Sequence, residues 1–306
     1  MRKKQRTSSA RHQDTPSKAN QGRSKGQAKG LRPSSRDPKT DRHEKRLNSG
    51  FNLPRDSVLA WGRHAVFAAL NSPARSILTV YTTGDNVDTV RSMIADISSS
   101  KKTPEVMVMT KPDLTDALAR HLPYDEKAVH QGLVAVMRPL NPPQLDDWLD
   151  TLDDDRAIVI LLDQITDARN IGAIMRSARA FHASAIITTE KHCPPETGVM
   201  LRTASGAADY IPLIKVVNLS RSIEKLQDHG FTIAGMTAAG KTPINSLAEY
   251  DRLGIVMGAE GKGLRRLTEE HADLLVSIPI NEEAESLNVS NAAAVALFAA
   301  QRLNEQ

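Results

Sequence analysis

From residue 156 onward, short apolar runs alternate with amphipathic stretches, and this alternation restricts the fold more than any other feature of the chain. Residues 157–162 read AIVILL, an unbroken apolar run, as a strand buried on both faces of a parallel sheet requires. The apolar spacing then predicts a helix over 171–181 and strands over 185–189 and 211–216. A helix over 219–229 follows, then strands over 231–234 and 254–257 and a helix from Leu264. A strand over 274–278 and a last helix over 289–303 complete the unit. Strands alternating with helices imply a parallel α/β sheet over 156–306, with ligands at the carboxyl ends of its strands.

The front of the chain has a different texture. The first fifty residues hold 15 Lys or Arg, four Asp or Glu and only six apolar side chains, a net charge of +11. The rest of the chain is acidic, so the overall +4 hides a split. So polar a segment buries too little surface to offset its ordering entropy, and residues 1–52 are read as a disordered basic tail suited to a polyanion such as RNA. The run 58–62 opens a folded unit. Strands over 77–81, 106–109 and 133–137, with helices over 64–70, 87–97 and from Pro112, give a small α/β domain over 57–138. Pro139, Pro142 and Pro143 mark 139–155 as a linker. One cysteine, Cys193, excludes an intramolecular disulfide and a Cys-rich zinc site and suits a reducing, cytoplasmic setting. No run approaches the roughly 20 apolar residues of a membrane span.

Two phosphate-binding patterns fail on their context. The first strand is followed by DQITDARNIG, not by G-x-G-x-x-G, which argues against a dinucleotide enzyme. Residues 235–242, GMTAAGKT, fit G-x-x-x-x-G-K-[ST] after a strand. Pro243 follows at once where a long helix should begin, and the next strand ends in Gly258 rather than a magnesium-binding Asp.

Three other segments carry more. Asn170-Ile171-Gly172-Ala173-Ile174-Met175-Arg176 opens an amphipathic helix, with Asn170 placed as its N-cap and Arg176 and Arg179 projecting from it. In Gly258-Ala259-Glu260-Gly261-Lys262-Gly263-Leu264, three glycines between a strand and a helix permit positive φ and close approach to a ligand. Ser286-Leu287-Asn288-Val289-Ser290-Asn291 places polar side chains at a helix start, where free N–H groups collect. Each alone reads as ordinary helix or turn chemistry, and order and spacing make them informative together.

In that order they resemble the three signature motifs of the SpoU (TrmH-type) RNA ribose methyltransferases of the SPOUT superfamily, over residues 157–303. The chain departs from the pattern at Ala168, Ala259 and Glu282. Residues 58–138 resemble the small ribosomal-protein-like RNA-binding domain that precedes many members. His130-Gln131-Gly132-Leu133, with the runs 196–198 and 204–207, is similar to the subgroup that methylates a guanosine in the peptidyl transferase centre of large-subunit ribosomal RNA.

The resemblance implies a trefoil-knotted C-terminal domain and a homodimer formed through it. It also implies S-adenosylmethionine as methyl donor, with no metal and no membrane. It points to Thr237, Gly258, Ile278 and Leu287 as the cofactor pocket and to Asn170, Arg176, Glu260, Ser286 and Asn288 as the catalytic set. The family's arginine is often made the base, but guanidinium holds its proton tightly. Arg176 is therefore read as stabilising a developing alkoxide, with Glu260 orienting it and Asn170, Ser286 and Asn288 positioning ribose and phosphate. The alternatives are a transfer RNA or other ribosomal RNA target, or a ribosome-assembly protein that binds RNA without catalysis.

Overall fold

The computed structural model describes residues 50–96, 102–123, 129–153, 155–281, 283–284 and 286–301. The basic stretch as far as residue 49 and Glu282 lie outside the described residues, and the last helix, expected to reach 303, ends at Ala299.

Two sheets organise the chain. The first is built from β1 (Val58–Trp61), β2 (Ile77–Thr82), β3 (Glu105–Val108) and β4 (Leu133–Met137) in the order β1-β4-β2-β3. Central β4 runs antiparallel to both neighbours, and β3 joins β2 in parallel. Helices α1 (Arg63–Asn71), α2 (Val87–Ala95) and α3 (Lys111–Ala119) connect them. Thr110 caps α3 by accepting a bond from the Asp113 amide, and Pro112 sits in the first turn, where its missing N–H costs nothing.

A second sheet of seven strands holds the remainder. Its strands are β5 (Ala157–Asp163), β6 (Ala185–Thr189), β7 (Leu213–Val216), β8 (Thr232–Met236), β9 (Thr242–Pro243), β10 (Arg252–Gly258) and β11 (Leu274–Ser277). They lie in the order β7-β6-β5-β10-β8-β11-β9, every pair parallel. All seven residues of β5 are buried, which is why its sequence does not alternate. Each fully buried Ile or Leu there contributes about 1.5–3 kcal/mol of transfer free energy. The flanking helices are α4 (Leu145–Asp150), α5 (Ala168–Ala180), α6 (Gly198–Ala204), α7 (Leu219–Asp228), α8 (Arg266–Glu270) and α9 (Val289–Ala299).

The order of the last strands has a consequence. β11 lies between β8 and β9, and Val276 is paired with Met236 on one side and Thr242 on the other. The segment 237–241 therefore arches across the end of β11. Its fit leaves no room: a β-carbon on Gly240 would lie 2.5 Å from the Val276 carbonyl carbon and 2.7 Å from the Ser277 nitrogen. The glycines of the nucleotide-binding look-alike thus serve a crossing of two backbones. No phosphate could reach the face of Gly240 that this crossing fills.

Sequence and structure differ at several places. Residues 139–155, read as a linker, contain α4, which packs beside β7 and whose Leu145, Trp148 and Leu149 are buried in one apolar cluster with residues of β5 and β6. The expected strand over 211–216 begins at Leu213. The expected N-cap Asn170 lies inside α5, which begins three residues earlier because Asp167 accepts a 2.7 Å bond from the Arg169 amide.

The two sheets pack within one compact unit. One apolar cluster runs from Val58, Val80 and Leu133 through Met200, Leu201 and Ala204 to Ile160 and Ile174. At the joint, Arg75 is buried with both carboxylates it needs: Nε donates to Asp209 at 2.7 Å and Nη1 to Glu196 at 2.5 Å. Glu196 also accepts from the Leu140 amide at 3.0 Å. Burial pushes the Asp209 carboxyl above its ordinary value, and Arg75 offsets only part of that. The runs 196–198 and 204–207 lie at this joint: a side chain at Gly198 would collide with Trp61, and one at Gly206 with Ala68 and His64.

Candidate active site

The site forms where the ends of β8, β10 and β11 meet the start of α9. Strand β10 delivers the chain to Gly258, after which residues 259–263 close a tight loop, with the Gly263 amide donating to the Ala259 carbonyl at 2.9 Å. Gly261 and Gly263 take positive φ of 74° and 66°, as three glycines in this turn anticipate. Asp163, buried at the end of β5, anchors the far end of the loop by accepting from the Arg265 amide at 3.0 Å and from its Nε at 2.6 Å.

This loop walls a cavity of about 540 Å³. Its walls are mainly apolar, from Met236, Met257, Val276, Ile278, Leu287 and Ala292, with Thr237, Glu260, Lys262 and Ser286 as polar members. All four residues expected to hold a cofactor, Thr237, Gly258, Ile278 and Leu287, line it. Thr237 is fixed by its amide bond to the Val276 carbonyl at 2.9 Å, directly over the backbone crossing. The volume falls in the range of about 300–1,000 Å³ usual for small-ligand pockets. An apolar slot with a few polar groups suits a purine nucleoside joined to an amino-acid moiety, so the residues present fit S-adenosylmethionine.

Beside the cavity, three expected catalytic side chains share one network. Glu260 Oε1 accepts from Asn288 Nδ2 at 2.7 Å, from Asn170 Nδ2 at 3.2 Å and from the Val289 amide at 3.4 Å. Asn288 Nδ2 also donates to Asn170 Oδ1 at 3.1 Å, while Asn288 Oδ1 caps α9 through the Ser290 amide at 2.9 Å. A carboxylate at the start of α9 is favoured by the helix dipole. All three motifs thus converge on one carboxylate oxygen. Ser286 lies on the cavity wall. Arg176 stands apart: it is exposed on α5 and makes no hydrogen bond or ion pair among the described residues. Glu260 therefore does not orient Arg176 within this chain, because its partners are Asn170, Asn288 and Val289. Gly172 of the same motif serves packing, since a β-carbon there would lie 2.5 Å from the Met200 carbonyl oxygen.

The His130–Gly132 run is structural. Buried His130 Nδ1 accepts from the Gly132 amide at 2.9 Å, its Nε2 meets Thr115 Oγ1 at 2.9 Å, and Gln131 Oε1 accepts from the Arg63 amide at 2.9 Å. Burial and the nearby Lys111 hold the His130 pKa below its usual value. Sequence reasoning missed the apolar walls Met236, Met257 and Val276. Their strand-end positions were the available signal, but a core methionine and a pocket methionine look alike in sequence.

Comparison with known proteins gives three kinds of match. Residues 157–298 match the model of the SpoU rRNA Methylase family. An uncharacterized tRNA/rRNA methyltransferase of Mycobacterium bovis is 38% identical over 198 residues, covering 64% of this chain and 59% of that protein. The chain thus matches less than two thirds of that relative's length. The 23S rRNA (guanosine-2'-O-)-methyltransferase RlmB of Escherichia coli is 34% identical over 250 residues, 80% of this chain and 98% of that one. In fold, the chain is similar to the crystal structure of the SpoU methyltransferase AviRb from Streptomyces viridochromogenes in complex with AdoMet, with a TM-score of 0.64, 20% identity, and 87% of this chain and 97% of that one covered.

Proposed function

Because the chain belongs to the SpoU rRNA methylase family, we propose that it transfers a methyl group from S-adenosylmethionine to a ribose 2′-hydroxyl of RNA. The observation that carries this reading is the convergence of Asn170, Glu260 and Asn288 beside the cavity lined by Thr237, Gly258, Ile278 and Leu287. S-adenosylmethionine supplies an already activated methyl group. The chain's own task is to hold a 2′-oxygen in line and to manage its proton. Alignment of this kind contributes several kcal/mol through effective concentration. Exposed Asn288, Ser286 and half-buried Asn170 offer donors and acceptors for a ribose and its phosphate. Arg176 stabilises the developing alkoxide and stays protonated throughout.

The proposed target is a guanosine in the peptidyl transferase centre of 23S ribosomal RNA. The match to the Escherichia coli RlmB over nearly its whole length supports it. A trefoil knot is supported by the arch of 237–241 over β11, beneath which the chain from β11 onward lies. A homodimer through this region would cover Val295 and Phe298, which α9 leaves 40% and 51% exposed. It would also bring in a second copy's groups for Arg176. In this proposal 57–138 binds RNA, 156–306 carries the chemistry, and the tail of 1–52 adds phosphate contacts. The proposal includes a cytoplasmic location, where ribosomal RNA would be met; no helix among the described residues is long and apolar enough to cross a membrane. Ribose-methylation mapping of ribosomal RNA from a deletion strain tests the proposal. One guanosine of the large subunit should lose its 2′-O-methyl group and regain it on complementation. An unchanged map would overturn the target.

A further inference from the structure

A second cavity of about 550 Å³ lies between the small sheet and the start of α5, and it shares no lining residue with the first. From the geometry we infer that this cleft receives an unstacked base of the RNA substrate, from a nucleotide close to the methylated one. The inference rests on the RNA-methylating reading and adds a second contact to it.

Three features support it. The floor is apolar, from Val58, Leu59, Trp61 and Val199, and Leu53 at the lip is 37% exposed. A tilted ring series, Tyr81 to Phe51 at 4.7 Å and Phe51 to His121 at 5.7 Å and 25°, ends on an exposed imidazole that lines the cleft. Sequence-specific RNA recognition works through such surfaces: splayed bases stack on aromatic or guanidinium planes and bond along their edges. The polar lining groups, Arg169 among them, are of the kind that reads a base edge.

Position makes the cleft relevant to the reaction. Asp167, Ala168 and Arg169 form one of its walls. The next residue, Asn170, is bonded to Glu260, which lines the other cavity. The two cavities therefore flank the first turn of α5. A base held in the cleft would fix the strand within a helical turn of the network that receives the ribose.

The test uses the full chain, a ribosomal RNA fragment that wild type methylates, and the variants Leu53→Glu and His121→Ala. His121→Ala should raise KM for RNA by about 5- to 150-fold, the loss expected for one base-stacking contact, and Leu53→Glu should raise it in the same direction, both with kcat and S-adenosylmethionine affinity unchanged. A merely structural role would instead lower Tm or cofactor affinity. As an independent readout, 4-thiouridine placed near the methylated nucleotide should photo-crosslink to peptides carrying Leu53 or His121. KM within twofold of wild type in both variants, or crosslinks confined to other surfaces while methylation proceeds, would overturn the cleft and leave the enzyme reading intact. Wild type that methylates no RNA would sink the parent reading and this inference with it.

Discussion

Arg75→Met removes the cation that joins the two sheets. The Arg75 side chain is fully buried, and its partners Asp209 and Glu196 are 2% and 17% exposed. Taking the guanidinium away leaves buried Asp209 with only the charge of Arg179 to offset its burial, and Glu196 with only the Leu140 amide. Breaking one side of a buried pair costs about 3–5 kcal/mol, mostly the penalty of the stranded charge. For a body of this size each kcal/mol moves Tm by about 2–4 °C, so a fall of roughly 6–20 °C is expected by differential scanning calorimetry. The stranded charge has a signature. Asp209 already titrates high because of burial, and without Arg75 it would be protonated more readily still. The loss should therefore shrink as pH is lowered. Adding Asp209→Leu and Glu196→Gln to Arg75→Met should restore much of the stability, since the cluster then holds no charge and the Gln oxygen can still accept from the Leu140 amide. A Tm change under about 2 °C, or no recovery in the triple variant, would refute the idea that this ion cluster docks the small sheet.

Gly240→Ala drives a β-carbon to 2.5 Å from the Val276 backbone and should cost about 1–3 kcal/mol in a urea titration. It should also weaken S-adenosylmethionine binding by calorimetry, because Thr237 and Ala238 line the cavity from the same arch. Arg176→Ala should lower the methyl-transfer rate by at least about 100-fold, the scale of one lost electrostatic stabiliser, while cofactor affinity stays at the wild-type value. His130 gives a pH dependence. Burial and Lys111 depress its folded pKa below 6.5, so the folded ring stays neutral while the unfolded one gains a proton. That contribution is complete above about pH 6.5, declines as pH falls through it, and levels off below the folded pKa. Urea midpoints between about pH 7.5 and 5.5 should show the decline in wild type and lose that component in His130→Asn.

Much of the fold was legible because buried parallel strands write themselves as apolar runs, as at 157–162 and 185–189. Strands 133–137 and 185–189 fall where the pattern placed them. Helix α6 was not legible: seven residues opening on Gly198 are too few to show a period, and Gly198 is there because Trp61 leaves no space. Helix α4 was hidden by the prolines before it. At the site, spacing identified the residues but not their pairing. Asn170 looked like a cap and serves instead as a link between Glu260 and Asn288. Glu260 looked suited to an arginine, yet three nitrogen donors from α5 and α9 occupy it. Such partnerships depend on how distant strand ends meet, which periodicity does not encode. Strand order is equally invisible: nothing local in 237–241 announces that β11 passes beneath it.

The most direct measurement incubates purified protein with methyl-labelled S-adenosylmethionine and 23S ribosomal RNA, then digests the RNA to nucleosides. Label should be recovered on a ribose-methylated guanosine and be lost when Arg176 is replaced by Ala. Label on a base, or none on any ribosomal or transfer RNA although the cofactor binds, would contradict the account.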